Sequence, residues 1–146
     1  MKRFRFPLET LLRVRRLRED QARMELARLL NTLQEKNDAL QRAEEDRLKL
    51  ISEWSGSPGR VINSADYQFM QKYLLSLKYI IADCREQISR LEEEVRLGQE
   101  KLLKLSQERK LMENLKEKKV KLYREEVAAY LQKESDENVL LRLKQD

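Results

Sequence analysis

From Leu8 to Trp54 the chain steps alternately by three and four residues through Leu8, Leu12, Arg15, Glu19, Ala22, Leu26, Leu29, Leu33, Lys36, Leu40, Ala43, Arg47, Leu50 and Trp54. Ten of these fourteen positions are apolar, which predicts a long amphipathic helix with a heptad seam. Arg15, Glu19, Lys36 and Arg47 weaken the seam. Long basic side chains can lay their stems along such a seam and keep their heads wet. A second stripe runs through Tyr67, Met70, Leu74, Leu77, Ile81, Cys84, Ile88, Leu91, Val95, Gly98, Leu102 and Leu105, with only Gly98 out of character. Between the stripes lies Ser55-Gly56-Ser57-Pro58-Gly59, which holds two of the three glycines and one of the two prolines. Proline in a helix interior costs about 3 kcal/mol, so this string predicts a turn.

The pattern therefore predicts an all-α fold: a long two-helix antiparallel coiled-coil hairpin in a single domain, 1–146. Helix one is expected over about 7–54, the turn over 55–63 and helix two over 64–138, with 139–146 open to fraying. Pro7 suits a first helical turn, where its missing N–H costs nothing. Asn63 or Ser64 can cap helix two, with Asp66 near its positive end. Because the turn is off-centre, helix two must overhang the open end of the hairpin. Folding about residue 59 places Leu8 opposite roughly position 110 and Gly98 near Ala22. The second stripe is expected to fail after Leu105, because continuing it meets Arg109, Met112, Lys116 and Lys119. A thinner, shifted stripe of Met112, Leu115, Leu122 and Ala129 would replace it.

Composition supports a narrow seam over a globular core: 39% of residues are charged and 6% aromatic. There is no histidine, and Cys84 is the one cysteine, sitting on the apolar stripe. An intrachain disulfide and a Cys/His zinc set are excluded, as are His-dependent catalytic triads. Gly56 and Gly59 lack the Lys-Ser/Thr of a phosphate-binding loop. Carboxylate pairs such as Glu44-Glu45 read as surface charge, with no cleft to raise a pKa. No catalytic residue, cofactor or metal is expected. No run approaches the roughly 18 apolar residues that a spanning helix needs, so a cytoplasmic protein is expected.

Charge is uneven along the chain. Residues 1–18 carry Lys2, Arg3, Arg5, Arg13, Arg15, Arg16 and Arg18 against Glu9. Residues 109–124 carry Arg109, Lys110, Lys116, Lys118, Lys119, Lys121 and Arg124 against Glu113 and Glu117. A hairpin brings both runs to its open end, where they would steer an acidic partner. Phe4 and Phe6 precede Pro7 and lie outside the seam. They either pack back on helix two near Leu115 or serve as exposed anchors. At the closed end Trp54, Phe69, Tyr73 and Tyr79 belong to an apolar cluster wider than one seam can bury.

Two strings carry a family resemblance. Phe4-Arg5-Phe6-Pro7-Leu8-Glu9-Thr10-Leu11-Leu12-Arg13-Val14-Arg15 resembles the start of the bacterial flagellar FliJ family. Glu108-Arg109-Lys110, then Glu113, Leu115, Lys116, Lys118, Tyr123, Gln132-Lys133 and Asp136-Glu137, is similar to that family's C-terminal block. The resemblance implies a non-enzymatic, stalk-like component of the flagellar type III export apparatus. Its implied partners are the export ATPase FliI hexamer, the export gate protein FlhA and late-substrate export chaperones. Ring contact would then fall to Phe4, Phe6, Leu8, Arg13, Arg16, Arg109, Lys110, Lys116 and Lys119. Gate or chaperone contact would fall to Trp54, Phe69, Tyr73 and Tyr79. The isolated chain would be a monomer, cytoplasmic, and peripheral to the membrane only through its partners.

Two other readings compete. Arg13 to Arg18 ahead of Leu26, Leu33 and Leu40 looks superficially like a basic-region leucine zipper, a nucleic-acid binder. That run offers no Asn or Ala to touch bases, and helix two would have no role. A generic scaffold dimerising through uninterrupted helices is opposed by Pro58.

Overall fold

The computed structural model describes residues 3–55 and 63–145. They form two α-helices, α1 (Glu9–Ser55) and α2 (Ser64–Gln145), paired as an antiparallel hairpin in which α2 is the longer and overhangs α1. The string Gly56-Ser57-Pro58-Gly59 lies outside the described residues, as do Val61 and Ile62.

Each helix start is made by its own sequence. Pro7 sits in the turn before α1, where the Phe6 carbonyl accepts the Glu9 N–H at 3.1 Å and the Leu8 carbonyl accepts the Leu12 N–H at 2.9 Å. Glu9 in the first turn complements the positive end of the helix. Asn63 caps α2: its Oδ1 accepts the Ala65 N–H at 3.1 Å, and its carbonyl accepts the Tyr67 N–H at 3.0 Å. Asp66 lies in that first turn, while Arg142 and Lys144 complement the carbonyl end. The helix runs to Gln145, through the segment after 138 where the sequence suggests fraying.

The chain divides into two compact units, Ala22–Lys101 and Met1–Gln21 with Leu102–Asp146. In the first, the apolar stripes are the core. Ala22, Ala43, Met70, Leu77, Ile81, Cys84, Ile88 and Val95 are buried. Leu26, Leu29, Leu33, Leu40, Leu50, Leu74 and Leu91 are half-buried between them. Lys36 keeps its place in the seam as a half-buried stem, whereas Arg47 is exposed. Glu44 meets Arg85 at 2.8 Å, and Glu25 meets Lys101 at 3.8 Å. These pairs are exposed and contribute little. Pairing of α2 starts at Met70, because residues 63–69, including the stripe residue Tyr67, are exposed.

The stagger differs from the one the sequence suggests. Gly98 faces Leu26 and Leu29 rather than Ala22, with a Cβ there 3.4 Å from Leu26 Cδ1 and 3.9 Å from Leu29 Cδ1. In the second unit Glu9 meets Lys116, so Leu8 lies roughly two turns further along α2 than position 110. The seam also does not fail after Leu105. It continues through the half-buried Arg109, Met112, Lys116, Val120, Tyr123 and Val127. The shifted stripe does not form: Leu115, Leu122 and Ala129 are all exposed. Charged residues occupy seam positions here because their partners across the seam carry the opposite sign. Beyond Val127, every described residue of α2 is exposed.

Gly98 therefore has neither a close backbone neighbour nor a special backbone angle to explain it. Gly98→Ala is expected to stabilise the chain by about 0.5–1 kcal/mol, the helix-propensity gain. Urea unfolding followed by circular dichroism measures it, and a loss of stability would mean that Leu26 cannot yield.

Candidate functional site

The unit formed by the chain's two terminal segments is built on an ionic seam. Its buried apolar side chains are Phe6 and Leu12, the latter fully enclosed. Beside them Glu19 is buried to 3% exposure and accepts a hydrogen bond from Arg109 Nε. Arg109 also reaches Glu113 through Nη1 at 2.7 Å. Arg16 joins the same carboxylate at 3.2 Å, Arg15 pairs with Glu108, and Lys116 pairs with Glu9 at 2.8 Å. Bonding to Glu19 raises the Arg109 pKa above its ordinary value, so the guanidinium stays charged. The hydrogen bond from Lys116 is the main reason that the Glu9 carboxyl is held below its ordinary value of 4.5.

This geometry divides the residues that the sequence suggests for a ring contact. Phe6 is buried, and Phe4 packs on Tyr123 with ring centroids 5.4 Å apart. Phe4 thus packs back on α2, at Tyr123 and not at Leu115. Arg16, Arg109 and Lys116 are committed to carboxylates of the chain itself. Leu8, Arg13, Lys110 and Lys119 are exposed. Arg13 makes only a 4.0 Å contact with Glu9, while Lys110 and Lys119 have no ion-pair partner among the described residues. Arg15 and Arg16, which a nucleic-acid reading needs for phosphates, face Glu108 and Glu113 instead.

The other unit carries the aromatic patch. Phe69 is 74% exposed, and Tyr73 and Ile80 are exposed beside it. Spacings of four and seven put all three on one face of α2. Tyr79 is exposed as well, but six residues after Tyr73 it points away from that face. Trp54 is half-buried at the end of α1. Tyr73 also lines a shallow hollow with Asp46, Lys49, Leu50 and Glu53, so the patch has a charged rim on α1.

The sequence reading missed Glu19, Glu108 and Glu113 as partners. A signal existed for Glu19, since it and Arg109 are seam positions of opposite sign. Among the described residues no cluster of His, Cys, Asp or Glu could hold a metal ion. No described helix is long and apolar enough to cross a membrane.

In comparison with known proteins, a family model described as Flagellar FliJ protein matches residues 4–145. No curated protein and no solved structure matches.

The Glu9–Lys116 pair predicts an acid response. With the Glu9 pKa lowered by folding, the unfolded chain binds more protons as pH falls. The contribution of the pair is complete above the ordinary value of 4.5 and is lost as pH falls through the depressed folded value. Thermal melts between about pH 6 and pH 3 should show a smaller loss of Tm in Glu9→Gln than in the unaltered chain. Equal losses would mean that the pair contributes nothing.

Proposed function

The chain belongs to the flagellar FliJ family and is a component of flagellar protein export, and from that premise we propose that it acts as a non-enzymatic stalk for the export ATPase. On this reading its terminal unit enters the FliI hexamer, promotes assembly of the ring and raises its activity. The aromatic patch of the other unit binds the export gate protein FlhA or the chaperones of late substrates. The protein works in the cytoplasm and reaches the membrane only through these partners.

The observation that carries the ring contact is the division of cations in the terminal unit. Arg16, Arg109 and Lys116 are neutralised within the chain, which leaves Arg13, Lys110 and Lys119 to face a partner. Exposed cations attract an acidic surface over a Debye length, about 8–10 Å at ordinary ionic strength. The Phe4–Tyr123 pair acts from within by holding the residues before α1 against α2, and Phe6 is buried beside it in sequence. For the gate or chaperone contact the support is Phe69, Tyr73 and Ile80, large side chains exposed on one face. Exposed aromatic residues of this kind are common anchors of protein interfaces. Trp54 and Tyr79 contribute less, the first because it is half-buried and the second because it faces elsewhere.

Two sets of variants separate the contacts. Arg13→Glu, Lys110→Glu and Lys119→Glu together should abolish stimulation of the ATPase by the purified chain, with helicity unchanged. Full stimulation would overturn the ring assignment. Phe69→Ala with Tyr73→Ala should weaken capture of the gate protein or a chaperone by tenfold or more, about 1.4 kcal/mol, and leave ATPase stimulation intact. Unchanged capture would remove the patch from the interface.

A further inference from the structure

The two units of this chain hold their helices together by different physics. In Ala22–Lys101 the seam is apolar from Ala22 and Ala43 to Met70, Ile81, Ile88 and Val95. Among the described residues of the terminal unit only Phe6 and Leu12 are fully buried apolar groups, and half-buried Met112, Val120 and Tyr123 alternate with ion pairs along the rest of the seam. Glu19–Arg109, Glu9–Lys116, Arg15–Glu108 and Arg16–Glu113 all run between the segment before Ala22 and α2. The fit is imperfect, because Arg15 Nε is buried without a hydrogen-bond partner.

We propose that the terminal unit is a salt-labile latch, in which residues 3–21 release from α2 while the apolar seam of residues 22–101 stays closed. Separation returns Glu19 and Arg109 to water, and that hydration offsets most of the attraction lost. The more exposed pairs, Arg16–Glu113 and Lys116–Glu9, are weakened directly by salt. Two buried apolar side chains, a few half-buried ones and the Phe4–Tyr123 contact then oppose release, fewer than the eight buried apolar residues of the other unit, so this unit opens at lower free energy than its neighbour. Opening uncovers Phe6 and Leu12, apolar groups that a partner cannot reach in the closed state, and frees the rest of half-buried Met112. The latch does not depend on which partners the protein has.

The test uses the full chain with Cys84→Ala and pairs of spin labels. One pair, Thr10→Cys with Lys118→Cys, spans the terminal unit at exposed positions outside the ion pairs. A control pair, Asn37→Cys with Ser89→Cys, spans the apolar seam. Pulsed electron paramagnetic resonance then gives the interspin distances. Between ~0.05 M and ~1 M sodium chloride the Thr10–Lys118 pair should gain a longer-distance population several times larger, while the control pair stays unchanged. Adding Glu19→Leu with Arg109→Leu, which makes that layer apolar, should suppress the gain. An unchanged Thr10–Lys118 distance at high salt overturns the proposal, as does equal separation of both pairs. A full salt response in the chain carrying Glu19→Leu with Arg109→Leu would do so as well, because it would detach the effect from the buried ion pair.

Discussion

A buried carboxylate sets the alignment of the terminal unit. Glu19 occupies a seam position and is almost fully withdrawn from water, which is tolerable only with an opposite charge bonded to it. Arg109 supplies that charge. Sliding α2 back by one heptad would put Leu102 in its place and leave the carboxylate buried and unpaired. An apolar seam is nearly degenerate under such a shift, because Leu replaces Leu. A single buried polar pair removes the degeneracy, as polar residues at seam positions do in other coiled coils. The neighbouring pairs Glu9–Lys116 and Arg15–Glu108 agree with the same stagger and extend it along the unit.

That constraint also explains what the sequence could and could not convey. The two helices and most of their buried faces were legible because a step of three and four is a direct image of helix geometry. Lys36 and Cys84 lie in the seam where the stripe puts them. The stagger was not legible, because a fold point at residue 59 assumes that both helices leave the turn level with each other. Instead residues 63–69 remain exposed and pairing starts at Met70. The seam after Leu105 is hidden in the sequence for a related reason. Arg109 and Lys116 look like interruptions when one helix is read alone, and become seam residues once Glu19 and Glu9 stand opposite.

The candidate site suffered from the same ambiguity. Seven cations in residues 109–124 look equivalent in the sequence. Structure divides them into those consumed within the chain, such as Arg109, and those left outward, such as Lys110 and Lys119. No sequence pattern separates Lys116 from Lys119 until the facing helix is aligned. Phe4 and Phe6 likewise carry two readings, and the structure half-buries Phe4 on Tyr123 and buries Phe6. For the aromatic patch, helical spacing alone relates Phe69 to Tyr73 and Ile80, and it already sets Tyr79 apart.

The two outward surfaces differ in the kind of association that they favour. Exposed cations at the terminal unit act over several ångströms, so they raise the rate of encounter and lose force as salt rises. An exposed face of Phe69, Tyr73 and Ile80 acts only on contact, and the area that it buries sets how long a complex lasts. The charges that align the terminal unit also leave its pairing with α2 open to other charges nearby. A partner bringing carboxylates to Arg109 or Lys116 competes with Glu19 and Glu9 for the same donors. The apolar seam of the other unit offers a charged partner no comparable opening.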